Sequence, residues 1–389
     1  MPASRTVAIV FSQFAPYHAD RIEAAARRLA GRAQVLGLEV ASRSQTYAWD
    51  EAGPLVHGRK RTLFAGRLYE TIPHRAVFRR MRRALAEADT VFVGLPYSEP
   101  AALSLLWWGR ARGKHMVLMS DSKADDAPRI PGREMLKRAL LTPAGSALVS
   151  GPRSAAYLRS LGFAGKPVRL GYDTLNVERI RALAGKGEAL WADRPFLYLG
   201  RFVEKKNLFA LLDAYARYAG SGGGNPRRLV MAGDGPLRAR LERHADGLGI
   251  ARLVDWPGFV SPREGARLKS GALALCLVST VEQWGLVLNE AAALGLPAIV
   301  SPAAGAGDAF VRHGESGFVA EPSDPESIAD AMRALAASED RWHGFSDGMR
   351  ARARLGDVAH FADAIERLCG FSNDEADCRA AALHKAYSR

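Results

Sequence analysis

Short apolar runs of β-type residues alternate with longer helical patterns, and the alternation occurs twice along the 389 residues. In the first half, 7–11, 33–38, 91–93, 115–119 and 147–149 read as buried strands, with helical stretches such as 20–30, 77–88 and 134–141 between them. In the second half, 196–199, 228–231, 254–256, 273–278 and 298–300 read as strands, and 207–218, 236–248, 262–269, 288–294 and 325–337 as helices. A parallel strand pair needs a helix-length crossover, so this alternation predicts parallel sheets covered by helices on both faces. Two such sets imply two doubly wound α/β domains. The stretch 184–194 carries two glycines ahead of a new buried strand and marks the boundary. The expected division is 1–184 for the N-terminal domain, 185–371 for the C-terminal domain, and 372–389 for a helix crossing back to the first. The glycine-rich 220–226 reads as a surface loop. Ser261-Pro262-Arg263-Glu264 has the form of a capping box, and Ser323-Asp324-Pro325-Glu326 opens a later helix similarly.

Composition narrows the setting. Cysteine is confined to Cys276, Cys369 and Cys378, an odd, sparse set that argues against a disulfide framework and fits a reducing cytoplasm. The apolar run at 7–11 is too short for the core of a signal peptide, and the longest uncharged run, 291–307, is broken by Pro297 and Pro302. The expectation is a cytoplasmic protein, soluble or peripheral at the inner face of a membrane. Its net charge of +13 is uneven. Residues 1–190 hold 30 Lys and Arg against 16 Asp and Glu, a surplus of 14, whereas the remainder holds 24 against 25, a deficit of 1. The surplus is densest at 59–83, where Arg59, Lys60, Arg61, Arg67, Arg75, Arg79, Arg80, Arg82 and Arg83 face Glu70. Such a field attracts anions, such as lipid headgroups or a pyrophosphate-linked acceptor; the plainer alternative is a solvated basic face. No aromatic-basic motif for nucleic acid is present, and no nucleic-acid partner is expected.

Ligands of doubly wound sheets bind beyond the carboxyl ends of the strands, where helix N-termini offer free N–H groups. After 196–199 comes Gly200-Arg201-Phe202-Val203-Glu204-Lys205-Lys206-Asn207. Arg201 as a planar fork and Lys206 as a point charge can hold a diphosphate there, or can be two exposed cations. After 228–231 comes Ala232-Gly233-Asp234-Gly235-Pro236, a tight turn in which Gly233 either touches a ligand or serves packing. After 273–278 come Glu282, Gln283, Trp284, Gly285, Leu286 and then Glu290. Gly285 falls where a helix start would present N–H groups to a phosphate. The two carboxylates suit sugar hydroxyls and a ribose diol, each charge-assisted bond being worth about 1.5–3 kcal/mol; the plain alternative is one capping and one solvated Glu.

Taken in order and spacing, the Gly-Arg-Phe-Val-Glu-Lys-Lys-Asn segment, Ala-Gly-Asp-Gly-Pro, and Glu-x7-Glu followed by Ala-Ala-Ala-Leu-Gly-Leu-Pro resemble the C-terminal domain of retaining glycosyltransferases of family 4. The resemblance runs from about 196 to 337. It implies the GT-B fold, two Rossmann-like domains facing across a cleft. It also implies that Arg201 and Lys206 bind the donor diphosphate, Glu282 contacts the transferred sugar, Glu290 binds the ribose, and Phe259 and Val260 lie beside the base. Gln283 and Trp284, next to Glu282, are candidates for tuning donor choice.

In the first half the likeness is looser. Tyr17, His18 and Arg21, after the first strand, are candidates for the acceptor or sugar side; Arg21 can equally be solvated and His18 can be a helix cap. Many family members carry a His after a later strand, and here Asp121 follows 115–119 in its place as the nearest stand-in. The implied activity is retaining transfer of a hexose from a nucleotide diphosphate sugar, UDP- or GDP-linked, to a hydroxyl of a lipid-linked or anionic acceptor in polysaccharide, glycolipid or other glycoconjugate synthesis. No cofactor is expected, and no metal if the two cations and the helix dipole suffice. The catalytic set is then Glu282, Lys206, Arg201 and Asp121. A GT-B sugar-nucleotide epimerase and a non-catalytic nucleotide-sugar-binding protein are the alternatives.

Overall fold

The structure is a computed structural model that describes residues 5–45, 53–185, 189–221, 225–371 and 387. It consists of two compact units, Met1–Asn176 together with Asp357–Arg389, and Val177–Gly356.

The first unit contains β1 (Arg5–Phe11), α1 (Pro16–Arg28), β2 (Ala33–Arg43), β3 (Arg59–Leu68), α2 (His74–Ala84), β4 (Thr90–Val93), α3 (Pro100–Ala111), β5 (His115–Ser120), α4 (Pro131–Leu140), β6 (Ser146–Val149), α5 (Pro152–Leu158) and β7 (Val168–Leu170). Its seven-stranded sheet has the order β3-β2-β1-β4-β5-β6-β7, with every pairing parallel. The chain moves outward in one direction through α1 and in the other through α2, α3 and α4. Right-handed crossovers therefore place α1 on one face and α2, α3 and α4 on the other. Val7, Ile9 and Phe11 alternate onto the α1 face and pack with Ile22, Phe92 and Val117 in one buried cluster.

The second unit contains α6 (Val177–Ala184), β8 (Phe196–Leu199), α7 (Leu208–Gly220), β9 (Leu229–Ala232), α8 (Arg238–Gly247), β10 (Val254–Gly258), α9 (Pro262–Gly271), β11 (Ala274–Leu277), α10 (Leu286–Leu294), β12 (Ala298–Val300), α11 (Gly307–Phe310), β13 (Gly317–Val319), α12 (Pro325–Ala336) and α13 (Glu339–Arg352). Its six strands run β10-β9-β8-β11-β12-β13, again all parallel. The capping box expected at Ser261 is formed: Ser261 Oγ accepts from the Glu264 N–H at 3.3 Å, and Glu264 Oε2 accepts from the Ser261 N–H at 2.9 Å.

Two features differ from the sequence expectation. The boundary falls at 176/177 rather than 184/185, because α6 belongs to the second unit: Arg181 Nε donates to Ala293 O at 3.0 Å. The return to the first unit also occurs earlier than expected. α14 (Val358–Leu368), placed by sequence in the C-terminal domain, lies against α1. Its Phe361 and Ile365 join the β1 cluster, and Arg32 pairs with Glu366 at 2.6 Å. The helix expected at 372–389 lies outside the described residues apart from Tyr387. Strands β3, β7 and β13 went unread in the sequence: β3 is an edge strand dominated by Arg59, Lys60, Arg61 and Arg67, and the other two have three residues each.

Truncating Phe361, which is fully buried, to Ala should destabilise the first unit by about 3–5 kcal/mol. Hydrogen exchange read by mass spectrometry is expected to rise in β1 and α1 peptides and to stay unchanged in peptides from β8 to β13. Faster exchange confined to the second unit would contradict the placement of α14.

Candidate functional site

In the second sheet the strand order turns at β8, whose neighbours β9 and β11 are reached in opposite directions. The loops after β8 and β11 therefore diverge and leave a crevice at the strand ends, the usual ligand position in this architecture. Both loops hold expected site residues, and the structure stitches them together. The β8 loop ends at Asn207, the one non-glycine residue with positive φ among the described residues (58°), which precedes α7. Its side-chain amide donates to Val278 O at 3.2 Å and to Pro322 O at 2.7 Å. Lys205 O accepts the Thr280 N–H at 2.9 Å.

Lys206 Nζ forms an ion pair with Glu282 Oε2, and Ser279 Oγ donates to the same oxygen at 3.0 Å. Both charged side chains are largely enclosed, at 13% and 11% exposure. Enclosure strengthens the attraction between them and raises the cost of leaving either one unpaired. Glu282 is also fixed through its backbone, which bridges to Ala304 and accepts the Gly305 N–H at 3.3 Å. Arg201 is half-buried in the same β8 loop, its carbonyl accepting from Tyr198 Oη at 2.8 Å.

Gly285 precedes α10 with φ 101°, and a Cβ there would stand 2.9 Å from Leu277 Cδ2. The positive φ is what calls for glycine, and α10 begins at Leu286 with its first N–H groups at the crevice. Gly233 has φ 134°, its N–H donates to Gly258 O at 2.8 Å, and a Cβ would sit 1.9 Å from Gly200 O. Its packing role is thus explicit: it draws the ends of β8, β9 and β10 together. Beyond β10, Phe259 is 69% exposed and Val260 is half-buried. Glu290 lies one turn into α10, where Lys269 Nζ of α9 pairs with it at 2.9 Å. Trp284 turns inward: it is buried and its indole N–H donates to Asn289 Oδ1 at 2.9 Å, so its side chain supports α10 from within. Gln283 is half-buried, with its backbone close against Gly305.

In the first unit the β1 loop leads into α1. His18 acts as a cap: its Nδ1 accepts the Ala15 N–H at 3.0 Å. The ring is buried and stacks on Phe11 at 4.0 Å. Burial, then the Arg21 charge, holds its pKa well below 6.5, so near neutral pH it is uncharged, with the proton on Nε2. Tyr17 is half-buried, edge-on to His18 at 4.4 Å. Arg21, expected to be solvated or facing an acceptor, is fully buried. Its guanidinium donates to Thr174 O at 2.8 Å and Asp173 Oδ1 at 3.2 Å, so it secures α1 to the segment after β7. Ser150 Oγ donates to Asp173 Oδ2 at 2.5 Å. Asp121, after β5, has its carboxyl pushed up to about 7 by burial and by the neighbouring Asp173 carboxylate.

The structure thus gathers Arg201, Lys206, Glu282 and Gly285 around one crevice of the second unit, and Asp121, Asp173, Arg21 and Ser150 at strand ends of the first. Ser279, Lys269, Asn207 and Asp173 were missed in the sequence. Ser279 and Asp173 follow strands closely and were within reach of the strand-end rule. Lys269, on a helix, gave no such signal. Among the described residues no group of three or more His, Cys, Asp or Glu side chains is arranged to hold a metal ion, and no helix is long and apolar enough to cross a membrane.

Solved structures share this architecture over nearly the whole chain. Sucrose-phosphate synthase from Thermosynechococcus elongatus matches with a TM-score of 0.69 at 19% identity, covering 94% of this chain and 98% of the other. HepE of Anabaena in complex with UDP and glucose also matches at 0.69, with 15% identity and 94% and 99% coverage. Two parallel doubly wound sheets on this plan define a GT-B protein. In sequence, residues 191–354 match the family model described as glycosyl transferases group 1. The chain is 31% identical over 299 residues to a GDP-mannose-dependent alpha-(1-6)-phosphatidylinositol dimannoside mannosyltransferase of Mycobacterium tuberculosis, covering 70% of this chain and 74% of that protein. It is 34% identical over 145 residues to the D-rhamnosyltransferase WbpZ of Pseudomonas aeruginosa, 36% of each chain. The chain belongs to the group 1 glycosyltransferases, enzymes that use nucleotide sugars.

Asp121 gives the first unit a pH signature. Its folded pKa of about 7 lies above its unfolded value of about 4. Its contribution is therefore full below about 4 and is lost as pH rises through about 7. His18, whose pKa is lowered, acts in the opposite sense below 6.5, so the readout is a difference. Urea midpoints of Asp121→Asn minus wild type should rise with pH across that window. A flat difference would contradict the raised carboxyl.

Proposed function

We propose that the chain catalyses retaining transfer of a hexose from a nucleotide diphosphate sugar to a hydroxyl acceptor, in the manner of family 4, and that the Glu-x7-Glu segment forms half of its donor site. The observation that carries this reading is the Lys206–Glu282 pair, buttressed by Ser279 and placed beside Arg201 and the start of α10.

Cleavage of the bond between the anomeric carbon and the diphosphate oxygen leaves growing negative charge on the diphosphate. Lys206, Arg201 and the N–H groups at the start of α10 are suited to receive that charge from fixed positions. Glu282 would accept hydrogen bonds from sugar hydroxyls while Ser279 and Lys206 orient its carboxylate. Glu290 would accept from the ribose diol, held by Lys269. Phe259 offers an exposed ring to the base, with Val260 beside it and Gly233 allowing close backbone approach. On the first unit Tyr17 and His18 are assigned to the sugar or acceptor side. Asp121 takes the place of the family's cleft His. With a pKa near neutrality it can hold or release a proton at its carboxylate. Arg21 acts through these groups as a positioning residue.

A UDP- or GDP-sugar is the donor class, and the name of the mycobacterial relative makes GDP-mannose the first to test. The acceptor is assigned to polysaccharide, glycolipid or related synthesis, at the cytoplasmic face of a membrane. The basic surface supports an anionic or lipid-linked acceptor: Arg59, Arg61 and Arg67 on β3 and Arg75, Arg79, Arg82 and Arg83 on α2 are all exposed.

Nucleoside diphosphate release from a panel of GDP- and UDP-sugars, with and without acceptors, tests the assignment. One donor should give acceptor-dependent release, and Lys206→Ala should lower it at least about a hundredfold, the scale of losing one stabiliser of a developing anion. Near-normal turnover in that variant would overturn the diphosphate role.

A further inference from the structure

Surface helices normally bury their apolar stripe and expose their polar one. α4 does the reverse. On its helical projection Pro131, Gly132, Met135, Leu136 and Ala139 occupy one half, and Arg133, Glu134, Lys137 and Arg138 the other. None of its residues is buried. The centre of the polar half faces the protein: Glu134 Oε2 accepts from Tyr157 Oη at 2.7 Å, and Lys137 Nζ donates to the same hydroxyl at 2.9 Å. The apolar half is turned to solvent, with Met135 71% and Leu136 59% exposed. Ile130, which precedes the helix, is 47% exposed, and Trp107 of α3 is 52% exposed. The Trp107 indole N–H donates to Leu140 O at 3.2 Å, which places this side chain at the end of α4. Half of the exposed large apolar side chains of the described residues, four of eight, lie in this one place.

The surrounding charge indicates what covers the patch. Arg133 and Arg138 are exposed at the two edges of the apolar half, and Arg110 and Arg112 are exposed at the end of α3. α2, with its exposed Arg75, Arg79, Arg82 and Arg83, lies on the same side of the sheet and packs on α3. An apolar centre rimmed by long cationic side chains complements an anionic bilayer: the apolar groups enter the acyl boundary, and arginines at the edge reach back to the headgroups.

We infer that α4, with Ile130 and Trp107, is an interfacial membrane element that inserts Trp107, Ile130, Met135 and Leu136 into an anionic bilayer. This rests on the reading that the basic face of the first unit meets anionic lipid, and adds to it a specific inserted helix that the charge pattern alone does not define.

The test is flotation of the full chain with vesicles of phosphatidylcholine, alone or mixed with phosphatidylglycerol. Wild type should float with the mixed vesicles. The double variant Met135→Gln/Leu136→Gln, at exposed positions, should lose at least about tenfold in partitioning and keep its donor turnover in solution. Brominated lipid should quench wild-type fluorescence more than that of Trp107→Phe. Unchanged flotation of the double variant, where Arg75→Glu/Arg79→Glu/Arg82→Glu loses it, would overturn the inserted helix and leave the basic-face reading standing. Failure of wild type to float would overturn both. Self-association abolished by the double variant, with no vesicle binding, would show the patch to be a protein contact and overturn the inference.

Discussion

The ion pair between Lys206 and Glu282 ties the chemistry of the second unit to its topology. The two residues are 76 positions apart and meet because the strand order turns at β8, so that the β8 and β11 loops flank one crevice. Asn207 and Thr280 sew the loops together with backbone-directed bonds, Ser279 fixes the carboxylate, and Ala304 holds the backbone of Glu282. Breaking such an enclosed pair by removing one partner costs more than the pair itself contributes, because the remaining charge is left without compensation. Before any ligand arrives, the crevice thus holds a cation and a carboxylate at defined positions, the preorganisation that a site handling a diphosphate and a sugar needs.

The glycines of this region act by the same logic. Gly233 lets three strand ends converge, and Gly285 lets the chain turn straight from the β11 loop into α10. A side chain at Gly233 would push apart the strand ends that form the crevice, and one at Gly285 would strain the turn. The first unit uses charge differently. Arg21 is held by Asp173 and Thr174 and lies over the rings of Tyr17 and Tyr172, while burial, and then the neighbouring Asp173 carboxylate, keeps the Asp121 carboxyl near neutrality in pKa.

Much of this was legible in the sequence, for physical reasons. Strands such as Phe196–Leu199 and Ala274–Leu277 are apolar throughout because both faces of a parallel sheet are covered, so they stand out, and the residues following them could be named as candidates. The edge strand Arg59–Leu68 was hidden because its exposed side carries arginines, and its charge drew a reading about partners instead. The boundary was set eight residues late because α6 is assigned by what it packs on, which local pattern does not record. α14 was misplaced for the same reason: its amphipathic face fits any core, and only the tertiary structure selects β1 and α1. Arg21 read as an acceptor-side or solvated residue because a buried arginine has no sequence signature apart from its partner, 152 positions away. The inverted orientation of α4 was equally invisible, since the pattern of an amphipathic helix is the same whichever face is turned outward.

The central claim, that the crevice at β8 and β11 receives a nucleoside diphosphate, is tested most directly by calorimetric titration of the full chain with GDP, UDP and ADP. One of them should bind, and Arg201→Ala should weaken that binding by about tenfold or more, as loss of a charge-assisted contact requires. Binding of none of the three, or equal affinity in the variant, would contradict the account.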